Sequence, residues 1–186
     1  MLPSNSNWKS KTRKMSRVIF ANLLRFLLLV FIQVFLLKNI GYYNLATPFL
    51  YILFILLLPF DIPNWLLFVL SFILGVTIDA FYDTLGINAA ACTIVALVRI
   101  LFINVTVQRE GFENEPEPRL GIMGFRWFFF YALLLTLFHH FTLFFLEAFS
   151  LQELNYTFVR IGLSSSLTLL LILLSEFIFF RKKERT

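Results

Sequence analysis

Cysteine, glycine, proline and charge are all scarce in this chain, and each shortage removes a class of protein. The single cysteine, Cys92, excludes an intrachain disulfide and lies in an apolar run with no second thiol to share a metal. Charged residues are only 15% of the total, too few to coat a soluble domain of 186 residues. No nucleotide-binding glycine pattern, HExxH or serine elbow occurs. Two aspartates, Asp79 and Asp83, invite an intramembrane aspartyl protease. Such an enzyme brings its pair from different helices so that one proton is shared, whereas these come from one short corner. His139 and His140 are adjacent, so on a helix they diverge by about 100° and cannot both aim at one ion. The expectation is a non-enzyme with no cofactor and no metal.

What is present is hydrocarbon. Hydrophobic residues make up 59% of the chain, 25 of them phenylalanine, and the mean hydropathy is +0.82. The charges cluster at the ends: Lys9 to Arg17 holds five basic residues and no acid, and Arg181 to Arg185 holds four against Glu184. A pI near 9.6 suggests nucleic acid at first sight. Basic residues flanking apolar spans are better read as setting membrane orientation and meeting anionic headgroups. The phenylalanines then read as lipid-facing bulk.

The pattern predicts an all-α membrane protein, a compact bundle of about six transmembrane helices. A basic segment, 1–17, precedes one helical domain, 18–180, and a basic tail, 181–186, follows. Spans are expected at about 18–37, 45–60, 65–80, 87–103, 127–148 and 156–180, each near the roughly 20 residues that cross a bilayer or somewhat short of it. The first is read as uncleaved, because "KNIGYY" after it offers no small-residue cleavage site. Pro48 and Pro59 bracket the second, as expected for a residue without an amide proton. A polar loop, 104–125, separates spans four and five and is acidic over 110–117. With the N-terminus in the cytoplasm, Arg99, Arg109, Arg119, Arg126 and the basic tail share that side, leaving mainly Lys38 and Arg160 outside. Both termini are then cytoplasmic.

Polar residues in the spans are the candidate functional positions, since each costs free energy in hydrocarbon. In "GVTIDAFYDTLGINAA", Asp79 and Asp83 are four apart and share a face if the helix continues, pointing into one external crevice. Gly86 permits a tight turn and Asn88 caps span four. Alternatively, the acids and Asn88 only satisfy backbone amides at the corner. Small residues in "NAAACT" and "SSSLT" allow close helix packing, within the chain or with another protein. Arg25 and Glu176, of opposite charge and similar depth, are expected either to pair or to turn separately to the headgroups and the basic tail. Arg160 has Glu147, Asp79 and Asp83 within reach. One of the two histidines is expected to bond a neighbouring helix while the other sits at a groove.

From about residue 18 to 180 the chain resembles the MreD family of bacterial rod-shape-determining membrane proteins. The resemblance rests on the basic start, Pro48 opening span two, Pro59 and Pro63 at the next turn, and "ILGVTIDAFYDTLGINAA". In that segment Gly75 and Asp79 match the family's glycine-x-x-x-aspartate, followed by leucine-glycine and small residues. The loop 104–125 is longer and more acidic than the family pattern. The resemblance implies a plasma-membrane scaffold of the elongation (rod) complex that regulates cell shape and peptidoglycan synthesis. Its implied partners are MreC, the MreB filament, RodA and a penicillin-binding transpeptidase. At fold level the family is also similar to the substrate-binding subunit of energy-coupling factor transporters, which implies an alternative role in vitamin uptake. Such subunits dock through small-residue patches on early helices, and span one, "ANLLRFLLLVFIQVFLLKN", lacks one.

Overall fold

In the computed structural model, backbone is described for residues 5–40, 46–110, 117–148 and 154–179, and side chains for 18–40, 46–106, 117–148 and 154–179. The described elements are helical: α1 (Asn5–Phe31), α2 (Ile52–Leu56), α3 (Asn64–Tyr82), α4 (Ile87–Glu110), α5 (Leu120–Met123), α6 (Phe125–Ala148) and α7 (Leu154–Ile178). A π-helical stretch, Ile32–Leu37, continues α1.

Five stretches are long and apolar enough to cross a bilayer: Val18–Leu37, Asn64–Tyr82, Ile87–Thr106, Phe125–Ala148 and Leu154–Ile178. Their outward positions carry large apolar side chains such as Leu24, Phe31, Phe72, Phe138, Phe158 and Leu174, each exposed in the isolated chain. A soluble protein does not expose apolar surface on this scale. The chain is a multi-pass helical membrane protein.

The sixth expected span, 45–60, is not a continuous helix. Residues 47–49 are irregular, and only Ile52–Leu56 forms a short helix before the chain turns through Pro59 to Pro63. Pro48 explains the start, since proline disfavours a helical residue before it and donates no hydrogen bond. Burial explains why the rest stays short. Tyr51 to Leu58 are all no more than 5% exposed, so this segment occupies the centre of the bundle and never faces lipid. A run apolar on every side, "YILFILLL", is what a fully enclosed element requires.

Contacts along the segment give its direction. Its beginning meets α7 at Ser164 and Thr168, and its end meets Arg25 of α1 and Arg99 of α4. Gln33 of the α1 extension touches both Pro48 and Tyr82 at the end of α3. α1 and α3 therefore run the same way, and the broken segment returns between them. The end at which α1 enters is called proximal below, and the end holding the α3–α4 corner distal.

α3 and α4 approach each other closely at Gly75 and Ala89. A Cβ built at Gly75 would lie 2.3 Å from the Ala89 Cα and 2.6 Å from its nitrogen, so only glycine allows this approach. Gly75→Ala is expected to force the helices apart and cost at least about 1–3 kcal/mol, read as a lower thermal midpoint in detergent. Ala89→Gly would not rescue it, because the obstruction is backbone.

Candidate functional site

The close approach at Gly75 positions Asp79, one helical turn further along the same face. Asp79 is buried, and its carboxylate reaches the start of α4. Oδ1 accepts from the Asn88 backbone N–H at 3.0 Å, and Oδ2 from Ala89 N–H at 2.9 Å. These are two of the donors that every helix N-terminus leaves unpaired, and the helix dipole favours an anion beside them. Oδ1 also accepts from Asn88 Nδ2 at 3.0 Å and from the Thr84 hydroxyl. The Asp79 backbone carbonyl meanwhile accepts Asp83 N–H and Thr84 N–H, closing α3. One residue ends a helix with its carbonyl and opens the next with its side chain.

Asp83 has a different place. It adopts the left-handed conformation (φ 55°) just past α3, and its side chain is exposed. Asparagine and aspartate tolerate that conformation best after glycine. The two acids therefore do not share a crevice: the helix stops before the second can come round to the first. Gly86, at φ +83°, makes the turn as expected. Asn88 does not cap α4, since Asp79 does. Its amide instead bridges Asp79, Thr84 and the hydroxyl of Tyr51.

From Asn88 a buried polar network continues inward, and its proton positions follow from valence. Asn88 Oδ1 can only accept, so the Tyr51 hydroxyl donates to it at 2.8 Å. His139 Nε2, 2.7 Å from the same hydroxyl, then carries the proton and donates to Tyr51. His140 Nδ1 donates to the Thr136 carbonyl at 2.8 Å, leaving Nε2 to accept from the Thr168 hydroxyl at 3.3 Å. Thr168 in turn accepts the Phe49 N–H at 3.0 Å. Both histidines are fully buried and neither lies at a groove. His139 bonds the broken segment, whereas His140 bonds its own helix and α7. Every ring and hydroxyl proton of the network is then placed once.

At the proximal end the same segment is held by cations. The last turn of a helix leaves carbonyls without partners. Leu56 O accepts from the Tyr131 hydroxyl at 2.9 Å, Leu57 O from Arg25 Nη1 at 2.9 Å, and Leu58 and Pro59 O from Arg99 Nη2. Arg99, expected on the cytoplasmic side with the loop arginines, is among the largest fully buried side chains. Its Nε donates to the Tyr131 oxygen at 3.1 Å. No carboxylate lies within ion-pair distance of it among the described residues. The negative end of the α2 carbonyl array takes that role.

Arg25 and Glu176 do not form the direct pair considered above. Arg25 Nη2 lies 3.4 Å from Glu117 Oε2, the oxygen that Arg119 Nε approaches to 2.7 Å. Glu176 is buried and accepts the Leu120 N–H at 3.1 Å, at the start of α5. Glu117 intervenes because the chain after the polar loop folds back under the bundle. At the distal end Arg160, which had three acids within reach, pairs with Glu147 at 3.2 Å and stacks over the Phe144 ring at 4.4 Å.

The small-residue runs are used inside the chain. Ala89 faces Gly75, while Ser164 and Thr168 bind the Thr47 and Phe49 amides at 3.0 Å each. Pro48 contributes its carbonyl to Gln33 Nε2, and Pro59 its carbonyl to Arg99. Sequence reasoning did not single out Tyr51, Gln33, Arg99, Glu117 or Tyr131 as site residues. Gln33 and Arg99 were visible as polar interruptions of apolar runs; Tyr51 gave no such signal. The expected acidic stretch falls largely at 111–116, outside the described residues, with Glu117 inside them. Comparison with protein-family models, curated proteins and solved structures gives no match.

Proposed function

We propose that the chain is a non-enzymatic membrane scaffold of the bacterial elongation complex, acting as an MreD-like partner of MreC in the plasma membrane. One observation supports this reading above others: Asp79, Arg25 and Arg99 are spent on holding a broken segment and one helix corner. Asp79 has four hydrogen-bond donors around it, and Arg25 and Arg99 are engaged by carbonyls. A site evolved for catalysis keeps reactive groups facing a space for substrate. These are held by backbone and by neighbouring side chains instead.

The resemblance supplies the particular complex. Its most distinctive segment, "ILGVTIDAFYDTLGINAA", is the α3–α4 corner, where Gly75 and Asp79 have an interlocked structural purpose. In this reading the proximal end and both termini are cytoplasmic, and the distal corner faces the periplasm. Outer faces of α1 and α7, with Leu24, Leu28, Leu163 and Leu170 exposed, are then available to a single-span partner.

Affinity purification from detergent, with quantitative identification of partners, tests the assignment. Retention of MreC with RodA and the transpeptidase is the expected result. Recovery of a paired ATPase with a coupling subunit would instead establish the transporter reading, in which the distal end holds a small ligand.

A further inference from the structure

The ring of Phe49 is enclosed by five others. Tyr51 lies 6.0 Å away between centroids, Tyr82 of α3 at 6.4 Å, and His139, His140 and Phe144 of α6 at 5.8, 5.4 and 6.3 Å. These contacts are edge-on or tilted, the arrangements in which ring hydrogens meet π faces. Phe49 is 4% exposed, so its ring fills the enclosure.

Two fully buried acceptors beside this enclosure have no partner. His139 Nδ1 is one: with Nε2 donating to Tyr51, it carries a lone pair that no donor meets. Gln33 Oε1 is the other, on an amide whose nitrogen bonds Tyr82 of the enclosure and Pro48, the residue before Phe49. A phenyl ring offers neither acceptor a donor. Five other buried polar atoms are bare in the described residues, Ser71 Oγ and Trp127 Nε1 among them; these two are acceptors on side chains that touch one enclosure.

The delivery of Phe49 differs from that of the residues after it. Tyr51 to Leu58 are fixed by helix and by arginines, but Thr47 and Phe49 are tied by hydroxyls of α7, and Pro48 by Gln33 of α1. These ties are three side-chain hydrogen bonds, from α1 and α7.

We propose that this cage is a binding site for a planar aromatic carrying an N–H or O–H donor, an indole or phenol, and that Phe49 occupies it as a captive ligand. The donor satisfies His139 Nδ1 or Gln33 Oε1, and the strap 46–50 leaves the cage when the ligand enters. The proposal concerns the interior of the chain and stands apart from partner binding.

Phe49→Ala, and Phe49→Leu should the alanine variant not fold, test it by titration with indole, phenol and benzene. Purified protein is followed by thermal midpoint and by equilibrium binding, with wild type in identical micelles as the reference for partition into detergent. Saturable indole binding at least about tenfold tighter than to wild type is expected, with indole and phenol each preferred over benzene. Ser164→Ala/Thr168→Ala, which retains Phe49 but loosens its strap, is expected to bind indole with intermediate affinity. Folded Phe49 variants that bind indole no better than wild type would overturn the site. Benzene bound as tightly as indole would overturn the donor assignment and reduce the cage to an apolar cavity. An unchanged affinity in the Ser164/Thr168 variant would overturn the strap as its closure.

Discussion

Arg99→Leu is expected to lose about 4 kcal/mol of stability, lowering the thermal midpoint in detergent by roughly 10 °C. The guanidinium is enclosed, and what it leaves behind is backbone: the carbonyls of Leu58 and Pro59, with the Tyr131 oxygen. Each buried acceptor stripped of its donor costs about 1–3 kcal/mol. Arg99→Lys keeps the charge but has no second nitrogen to reach Tyr131 while holding the carbonyls, so it is expected to fall between leucine and wild type. A leucine variant as stable as wild type would mean that the carbonyls find other donors. The broken segment would then not depend on α4 for its end.

Asp79→Asn has the second large expected effect, about 3 kcal/mol of destabilisation. The substitution changes no volume, yet it replaces one acceptor oxygen with an NH2 group facing a donor. Whichever way the amide turns, it meets either Ala89 N–H or the Asn88 and Thr84 donors. Hydrogen bonds to a charged group contribute about 1.5–3 kcal/mol each, and helix capping about 0.5–2. Asp83→Asn is the internal comparison, expected to stay within about 0.5 kcal/mol because its side chain is exposed and asparagine tolerates the same left-handed backbone. Thermal unfolding of both variants in one detergent decides the matter. Equal destabilisation would contradict the distinct roles of the two acids.

The sequence predicts the five bilayer-crossing stretches to within a few residues because each is a long apolar run with polar punctuation at its ends, but α1 begins at Asn5 and α4 runs on to Glu110, inside the expected basic segment and polar loop. Composition alone carries that much. The broken segment was not legible, since "YILFILLL" has the hydropathy of a span and nothing in it reveals enclosure on all sides. Its two prolines, 48 and 59, carried the signal but fitted the ends of an ordinary helix equally well. The corner was half legible: spacing placed Asp79 near the start of α4, but it also suggested that Asp83 shared its face. That failed because helicity ends at Tyr82, one residue too soon. Arg25 is half-buried and Glu176 buried, but they do not pair. Their true partners, Glu117 and the Leu120 amide, come from a polar stretch whose return under the bundle has no local pattern.

The order in which the chain is made constrains when residues 46–60 can settle. Thr47 and Phe49 depend on hydroxyls 117 and 119 positions later, and Leu56 on a phenol 75 positions later. Until those helices have entered the bilayer, the segment has bare amides and carbonyls that hydrocarbon cannot satisfy. Its set of partners is complete only once α7 is in the bilayer. A ribosome stalled before residue 154 would leave behind a protein with helices across the lipid and an empty centre.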